Sequence, residues 1–387
     1  MSTLKVAALQ GLSASSDAIT LANDGTCTAN ITNNLSNRNL IINGAMQVAQ
    51  RGTSSTASGY GTVDRMQNQF SVANENVTQE QVDVASGTTP YTEGFKKAYK
   101  QTNGNQTSGV GVNYYVYLWT TLEAQDIANS GWNYTDPNSF ITLSFWIKSS
   151  VAQNFYGTLT TEDGTAQNYV YETGSLTADT WTKITKTIPG NSNLQFDNNA
   201  NSGLKIAPYR AYDGTDRTAS MSLNTWGAYS GSSRSPDATS TWYTTNDATI
   251  EITGLQLEVG SFATDFEHRS FAVEERLCKR YFNKYIGPMN INFVNEHANN
   301  KAGYLHFPYE EVMRVAPTVT FGSNVTIGRP QVSVSQLITT AGNIGNRSFN
   351  YVGWPSGSAL GSDGDAYYRM ILIENDANST ISCDAEL

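Results

Sequence analysis

Residues 248–271 read ATIEITGLQLEVGSFATDFEHRSF. Ile250, Ile252, Leu255 and Leu257 are apolar, while Thr249, Glu251, Thr253, Gln256 and Glu258 are polar. The alternation has period two on either side of Gly254, as in a strand with one face buried. Gly254 shifts the phase by one, which predicts a bulge or a close backbone approach. Val259-Gly260 ends the run, and polar residues 265–270 lead into a short helix. The stretch reads as the closing strand of a β-sandwich that opens near Asn39.

Residues 39–271 read as the main domain. Residues 140–149, FITLSFWIKS, alternate most strongly, with Ile141, Leu143, Phe145 and Ile147 on one face. Further strands are expected at 40–48, 63–73, 95–102, 114–122, 154–161, 168–172, 181–188, 204–212, 221–226 and 242–245. A short helix is expected over 123–130. Turns such as Asp163-Gly164 and Asp213-Gly214 punctuate the series. So many short strands, with helices too few for a parallel sheet, predict an all-β jelly-roll sandwich.

Residues 1–38 read as a separate N-terminal segment of three short strands around the turn Asn23-Asp24-Gly25. Such a hairpin is not stable alone and needs a partner. Residues 272–285 read as a connecting helix, and residues 286–387 as a smaller C-terminal β domain. The basic cluster Arg276, Lys279, Arg280 and Lys284 is expected to be a solvated helix face.

The chain has 387 residues, enough to bury a substantial core. Only 15% are charged, against about a quarter in average usage. Its polar surface comes from Asn, Thr, Ser, Gln and Gly, a mixture that suits strands and turns. The net charge of −10 argues against nucleic acid, which needs clustered Lys and Arg. No run approaches a membrane span, so no membrane insertion is expected. Residues 1–10 do not read as a secretory leader. Cys27, Cys278 and Cys383 are odd in number and widely spaced, so neither a disulfide framework nor a zinc site is expected. Free thiols fit folding in a reducing cytoplasm.

Leu255-Gln256-Leu257-Glu258-Val259-Gly260, Phe266-Glu267-His268-Arg269-Ser270 and Glu275-Arg276-Leu277-Cys278-Lys279-Arg280-Tyr281-Phe282 together resemble the end of a jelly-roll module. That module is common in tail fibre and tail structural proteins of bacteriophages, especially marine ones. Asn39-Leu40-Ile41-Ile42-Asn43-Gly44-Ala45-Met46, Gln50-Arg51-Gly52 and Val63-Asp64-Arg65 resemble its opening. Phe307-Pro308, the RVAPT element at 314–318 and the ending Asp384-Ala385-Glu386-Leu387 resemble the distal part of the same proteins. The resemblance implies a virion protein made in the host bacterial cytoplasm, a homotrimer attached to other tail proteins through its N-terminal segment. It implies a tail fibre or receptor-binding protein that contacts a host surface polysaccharide or protein receptor. The alternative is a structural virion component, such as a capsid decoration or tail-assembly protein. A polysaccharide depolymerase and a secreted lectin are further readings.

Enzyme chemistry is not expected. The three histidines form no HExxH pattern, and no GxSxG occurs. A glycosidase needs only two carboxylates at a set separation, and Asp64, Glu123, Asp126, Glu162, Asp163 and Glu172 are among those available. Asp64 beside Arg65 reads as a structural ion pair. His268 reads as a structural hydrogen-bonding residue. The opening and closing strands also resemble jelly-roll carbohydrate-binding modules, which often hold a structural calcium. Here the comparable positions are Gln47-Val48 and Thr253-Gly254, not acids, so no metal and no cofactor are expected.

Glycan recognition uses flat aromatic faces with amide and charged partners. Trp132, Tyr134, Trp226, Tyr229, Trp242 and Tyr243, set near turns or strand ends among small polar residues, are the chosen ligand-binding residues. Tyr114, Tyr115, Tyr117 and Trp119 are a second group in one strand: Tyr115 and Tyr117 share a face, while Tyr114 is out of phase with Trp119. Trp146 and Trp181 are expected to be buried or half-buried.

Overall fold

The computed structural model describes residues 6–10, 17–21, 27–29, 37–214, 222–232, 234–236, 241–295, 302–329, 332–342, 344–353, 367–372 and 378–387. The chain is all-β, with two six-stranded sheets facing one another. The first runs, in spatial order, Trp226–Ala228, Gln167–Ser175, Asn154–Thr161, Ser202–Asp213, Tyr115–Glu123 and Gln67–Ser71. The second runs Thr182–Pro189, Phe140–Ser149, Thr249–Val259, Lys97–Thr102, Thr78–Asp83 and Ser54–Ser55. The chain crosses between the sheets repeatedly, as a jelly roll does. Ile141, Leu143, Phe145 and Ile147 are each wholly buried between the sheets, contributing roughly 2 kcal/mol apiece.

The closing strand lies inside its sheet, between Phe140–Ser149 and Lys97–Thr102. Its register against Phe140–Ser149 shifts between Thr253 and Gln256, and Gly254 sits there at φ +65°. The bulge keeps Ile250, Ile252, Leu255 and Leu257 all fully buried. It also receives the opening segment. The Leu255 amide donates to the Gly44 carbonyl at 2.9 Å and the Leu40 amide to the Leu257 carbonyl at 2.8 Å. Asn39 Oδ1 accepts from the Leu257 amide at 3.1 Å while its Nδ2 donates to the Leu255 carbonyl at 3.2 Å.

Residues 40–48 are therefore a docked turn segment and not the expected strand. Asn43 and Met46 adopt φ of 60° and 58°, which no strand accommodates. Asn43 substitutes for a ladder, exchanging hydrogen bonds with Val48 at 2.9 and 3.0 Å. Glu274, on the helix Phe271–Lys279, accepts from the Asn43 amide at 2.7 Å and pairs with Arg269 at 3.3 Å. That helix is shorter than expected: it ends at Lys279, and Phe282–Ile286 is already a strand paired with Thr380–Asp384. Residues 242–245 are also corrected, since Thr241–Thr244 is a helical turn.

The N-terminal segment is a three-stranded antiparallel sheet of Ala8–Gln10, Asp17–Leu21 and Cys27–Ala29; the expected turn at Asn23-Asp24-Gly25 lies outside the described residues. Beyond the helix, a three-stranded and a seven-stranded antiparallel sheet make up the C-terminal part. It has its own core, which includes Phe307, Met313, Phe349 and Ile381.

Buried charge joins this part to the sandwich. Arg280 donates twice to Glu123, at 2.7 and 2.8 Å, and Tyr281 Oη donates to it at 2.7 Å. Arg280 is thus a bridge and not part of a solvated face. Arg276 and Lys279 reach Glu311 and Glu310 at 2.7 and 2.5 Å. Arg51 meets Asp384 at 3.0 Å and Glu386 at 3.3 Å, and lies 3.6 Å from Asp64. Arg65 pairs with Glu386 and not with its neighbour Asp64, and it lies over the Tyr281 ring. The turn at Arg65, φ 69°, points the two adjacent side chains to different partners.

Two outcomes are expected. A Cβ on Gly44 would stand 2.0 Å from the Leu255 carbonyl oxygen, so Gly44→Ala should lower unfolding free energy by about 2–3 kcal/mol in urea titration; no loss would mean the opening segment does not dock there. Burial raises Asp64 from 3.8 to about 6 despite Arg51 and Gln50. Its contribution to stability is thus fully present below 3.8 and lost as pH rises through about 6. Wild type should lose on the order of 3 kcal/mol across that window relative to Asp64→Asn, and parallel pH profiles would contradict this.

Candidate functional site

The strand Tyr115–Glu123 lies between Gln67–Ser71 and Ser202–Asp213. Val116 and Leu118 face the core and are wholly buried. Residues alternate along a strand, so Tyr115, Tyr117 and Trp119 share the opposite, outer face. Their rings form a ladder, with Tyr115–Tyr117 and Tyr117–Trp119 centroids 5.4 Å apart in each case. Trp119 Nε1 donates to Gln67 Oε1, which fixes the indole.

The neighbouring strand Ser202–Asp213 has register shifts between Ile206 and Tyr209 and again between Arg210 and Tyr212. Such bulges re-aim side chains. Lys205, Ala207 and Arg210 all reach the ladder's side of the sheet. The Arg210 guanidinium lies 4.3 Å from the Tyr117 centroid, the Lys205 ammonium 4.7 Å from Trp119, and the Arg234 guanidinium 5.6 Å from Tyr115. Each rung thus holds a cation within reach of its ring quadrupole. Tyr117 is only 6% exposed and forms floor, while Trp119 and Tyr115 are half-buried.

Asp213 fixes both arginines. It is wholly buried and accepts from Arg210 Nη1 at 3.1 Å, Arg234 Nε at 3.0 Å and Ser235 Oγ at 2.8 Å. Burial by itself raises its carboxyl, but the two guanidiniums outweigh burial and hold it down at about 2. Burial likewise works against the charge on Arg234, yet its hydrogen bonds to Asp213 leave it above the ordinary arginine value. Burial raises the Tyr117 phenol, so it stays protonated. The result is a cleft of about 370 Å³ across the outer face of the sheet. Thr158, Thr160, Glu162 and Tyr229 complete its walls, and Glu162 pairs with Lys205 at 2.9 Å.

Of the six residues chosen from sequence, only Tyr229 lines this cleft, at 40% exposure. Trp132 is 3% exposed, donates from Nε1 to the Ser139 carbonyl at 3.2 Å, and packs on Phe196. Tyr134 is half-buried with its ring 5.0 Å from that of Phe196. Trp226 is buried and donates to the Pro189 carbonyl at 2.7 Å. Trp242 and Tyr243 have no exposed surface, and Tyr243 stacks on Tyr212 at 4.3 Å. Trp132, Trp226, Trp242 and Tyr243 are thus buried anchors of their loops and present no free face to a sugar.

The ladder was available from the sequence. Counting from Tyr115 instead of Tyr114 puts Tyr115, Tyr117 and Trp119 on one face. His268 makes a structural contact, Nε2 to the Glu93 carbonyl at 2.8 Å. Among the described residues, no group of three His, Cys, Asp or Glu is placed to hold a metal.

No family model matches the chain, and no curated protein matches it. Among solved structures it is similar to the enzymatically active domain of tailspike protein 4 of bacteriophage CBA120, at TM-score 0.29 and 9% identity, covering 57% of this chain and 21% of that one. It is similar to a putative sugar binding protein from Bacteroides thetaiotaomicron, at TM-score 0.32 and 10% identity over 58% of this chain and 100% of that one. It is also similar to a family 30 carbohydrate binding module, at TM-score 0.25 and 11% identity over 59% of this chain and 91% of that one. The chain spans about a fifth of the tailspike structure it matches. Similarity this low carries neither a ligand nor an activity over to the cleft.

The two aromatic groups should separate in stability. Trp242→Ala should cost about 3–5 kcal/mol in chemical denaturation, and Trp119→Ala about 1 kcal/mol or less. Equal costs would contradict the placement of the two indoles.

Proposed function

We propose that the cleft binds a glycan without cleaving it, and that the chain is the glycan-contacting tail fibre or receptor-binding protein of a bacteriophage. The aromatic ladder Tyr115–Tyr117–Trp119, set in a rigid sheet and flanked by fixed hydrogen-bonding groups, carries this reading. Trp119 and Tyr229 offer apolar faces to sugar rings, while Thr160, Glu162, Lys205 and Arg234 surround them with polar atoms suited to hydroxyls. Preorganised groups lose little freedom on binding.

The carboxylates support a binding role over hydrolysis. A glycosidase of the ordinary kind needs one carboxylic acid that still holds a proton. Asp213, the buried acid at the cleft, is held ionised between two arginines at about 2, so it does not supply that proton.

The viral assignment rests on the ordered motifs that open and close the sandwich. A trimer attached to the tail through residues 1–38 is part of the proposal. Leu9 and Leu21 of the N-terminal sheet are 47% and 40% exposed, surface that association with copies or tail partners would cover. Several weak sites on one trimer would add up through avidity. A purely structural virion role has one observation of its own: Phe262, Phe271 and Val273 are 63%, 52% and 48% exposed beside the exit from the sandwich.

Full-length protein should bind purified host-envelope polysaccharide, with Trp119→Ala weakening it by about tenfold or more and leaving thermal unfolding nearly unchanged. It should also have a trimer's mass by light scattering and block phage adsorption. A protein that binds no envelope glycan, or binds equally well without Trp119, would contradict the reading.

A further inference from the structure

We infer that the cleft selects a glycan bearing carboxylates, a uronate-containing chain. This rests on the glycan-binding reading above and adds the charge of the ligand. Among the described residues, Lys205, Arg210 and Arg234 face two carboxylates, Asp213 and Glu162, an excess of one positive charge at the cleft of a chain whose overall charge is −10. The excess belongs to the arginines. Two guanidiniums share one buried carboxylate, and both line the cleft whereas Asp213 does not.

Arg210 is itself almost fully buried, at 5% exposure. Its Nη1 and Nη2 donate to Asp213 and Thr158, each at 3.1 Å. Its Nε is buried and has no partner among the described residues, so Arg210 is a fixed part of the cleft floor. Arg234 is the more accessible of the two arginines, with 16% of its side chain exposed, and a neutral sugar seated over it would cover that charge without answering it, at the cost of its desolvation. A sugar carboxylate would neutralise it, in the planar geometry that guanidinium groups match. At the rim, the Lys205–Glu162 pair is partly exposed, with side chains 23% and 33% accessible. A pair of that kind is held weakly, so Lys205 is able to turn to a second carboxylate along the chain. Polyphosphate ligands fit less well, because three cations already shared with two acids cannot answer a phosphate at every step.

The test uses full-length protein and calorimetric titration with oligosaccharides of galacturonate, glucuronate and mannuronate, each beside its carboxyl-reduced counterpart. The acidic form of at least one should bind about tenfold or more tightly than its reduced form, with the preference shrinking at high salt. Arg234→Gln should remove that preference. Because Arg234 also holds Asp213, Lys205→Gln is the second variant, which leaves the buried cluster intact and should weaken the acidic ligand roughly threefold. Equal affinity for acidic and reduced forms, both lost in Trp119→Ala, would overturn the charge selectivity and leave glycan binding standing. Tighter binding of sulfated than of uronate chains would overturn the carboxylate assignment. Failure to bind any glycan, acidic or neutral, would take away the glycan-binding reading itself.

Discussion

The bulge at Gly254 is the constraint on which the sandwich depends. A strand that lies inside a sheet has its backbone groups committed on both sides, and the shift between Thr253 and Gln256 frees some of them. The freed groups at Leu255 meet Gly44 and Asn39, more than two hundred residues earlier in the chain. One glycine at φ +65° thereby ties the start of the sandwich to its end. Around this tie the acids Glu267 and Glu274 accept the amides of Asn39 and Asn43, each at 2.7 Å. Removing either partner would strand a buried polar group, and such groups cost more unpaired than they contribute paired.

A comparable economy holds the cleft. Asp213 is a single carboxylate that positions two arginines from different segments, and those arginines in turn lie over two rungs of the aromatic ladder. Pairing makes burial of the charges tolerable, and burial makes the geometry rigid. The same logic operates where Arg51 and Arg65 gather Asp64, Asp384 and Glu386. There the charges join the sandwich to the C-terminal part. In the cleft, among the described residues, two guanidiniums share one buried carboxylate.

Much of the scaffold was legible because strand alternation is a local signal. Ile141 to Ile147 and the phase shift at Gly254 read directly from residue order. The segment 40–48 misled because its run of apolar residues looks like a strand, while the left-handed turns at Asn43 and Met46 depend on distant partners. The site was half legible. The ladder Tyr115, Tyr117, Trp119 obeys the same period-two rule that located the core. The loop aromatics misled because a Trp or Tyr beside a turn looks exposed, and only tertiary packing, of Trp132 on Phe196 and Tyr243 on Tyr212, decides otherwise. Arg210 was hidden by two bulges in its strand, and Arg234 by its separation of 21 residues from Asp213.

The most direct measurement is a crystal structure of the full chain with a uronate oligosaccharide bound. A sugar ring over Trp119, with its carboxylate within hydrogen-bonding distance of Arg234, is the expected result. An oligosaccharide seated elsewhere, with the cleft between Tyr117 and Arg234 empty, would contradict the account.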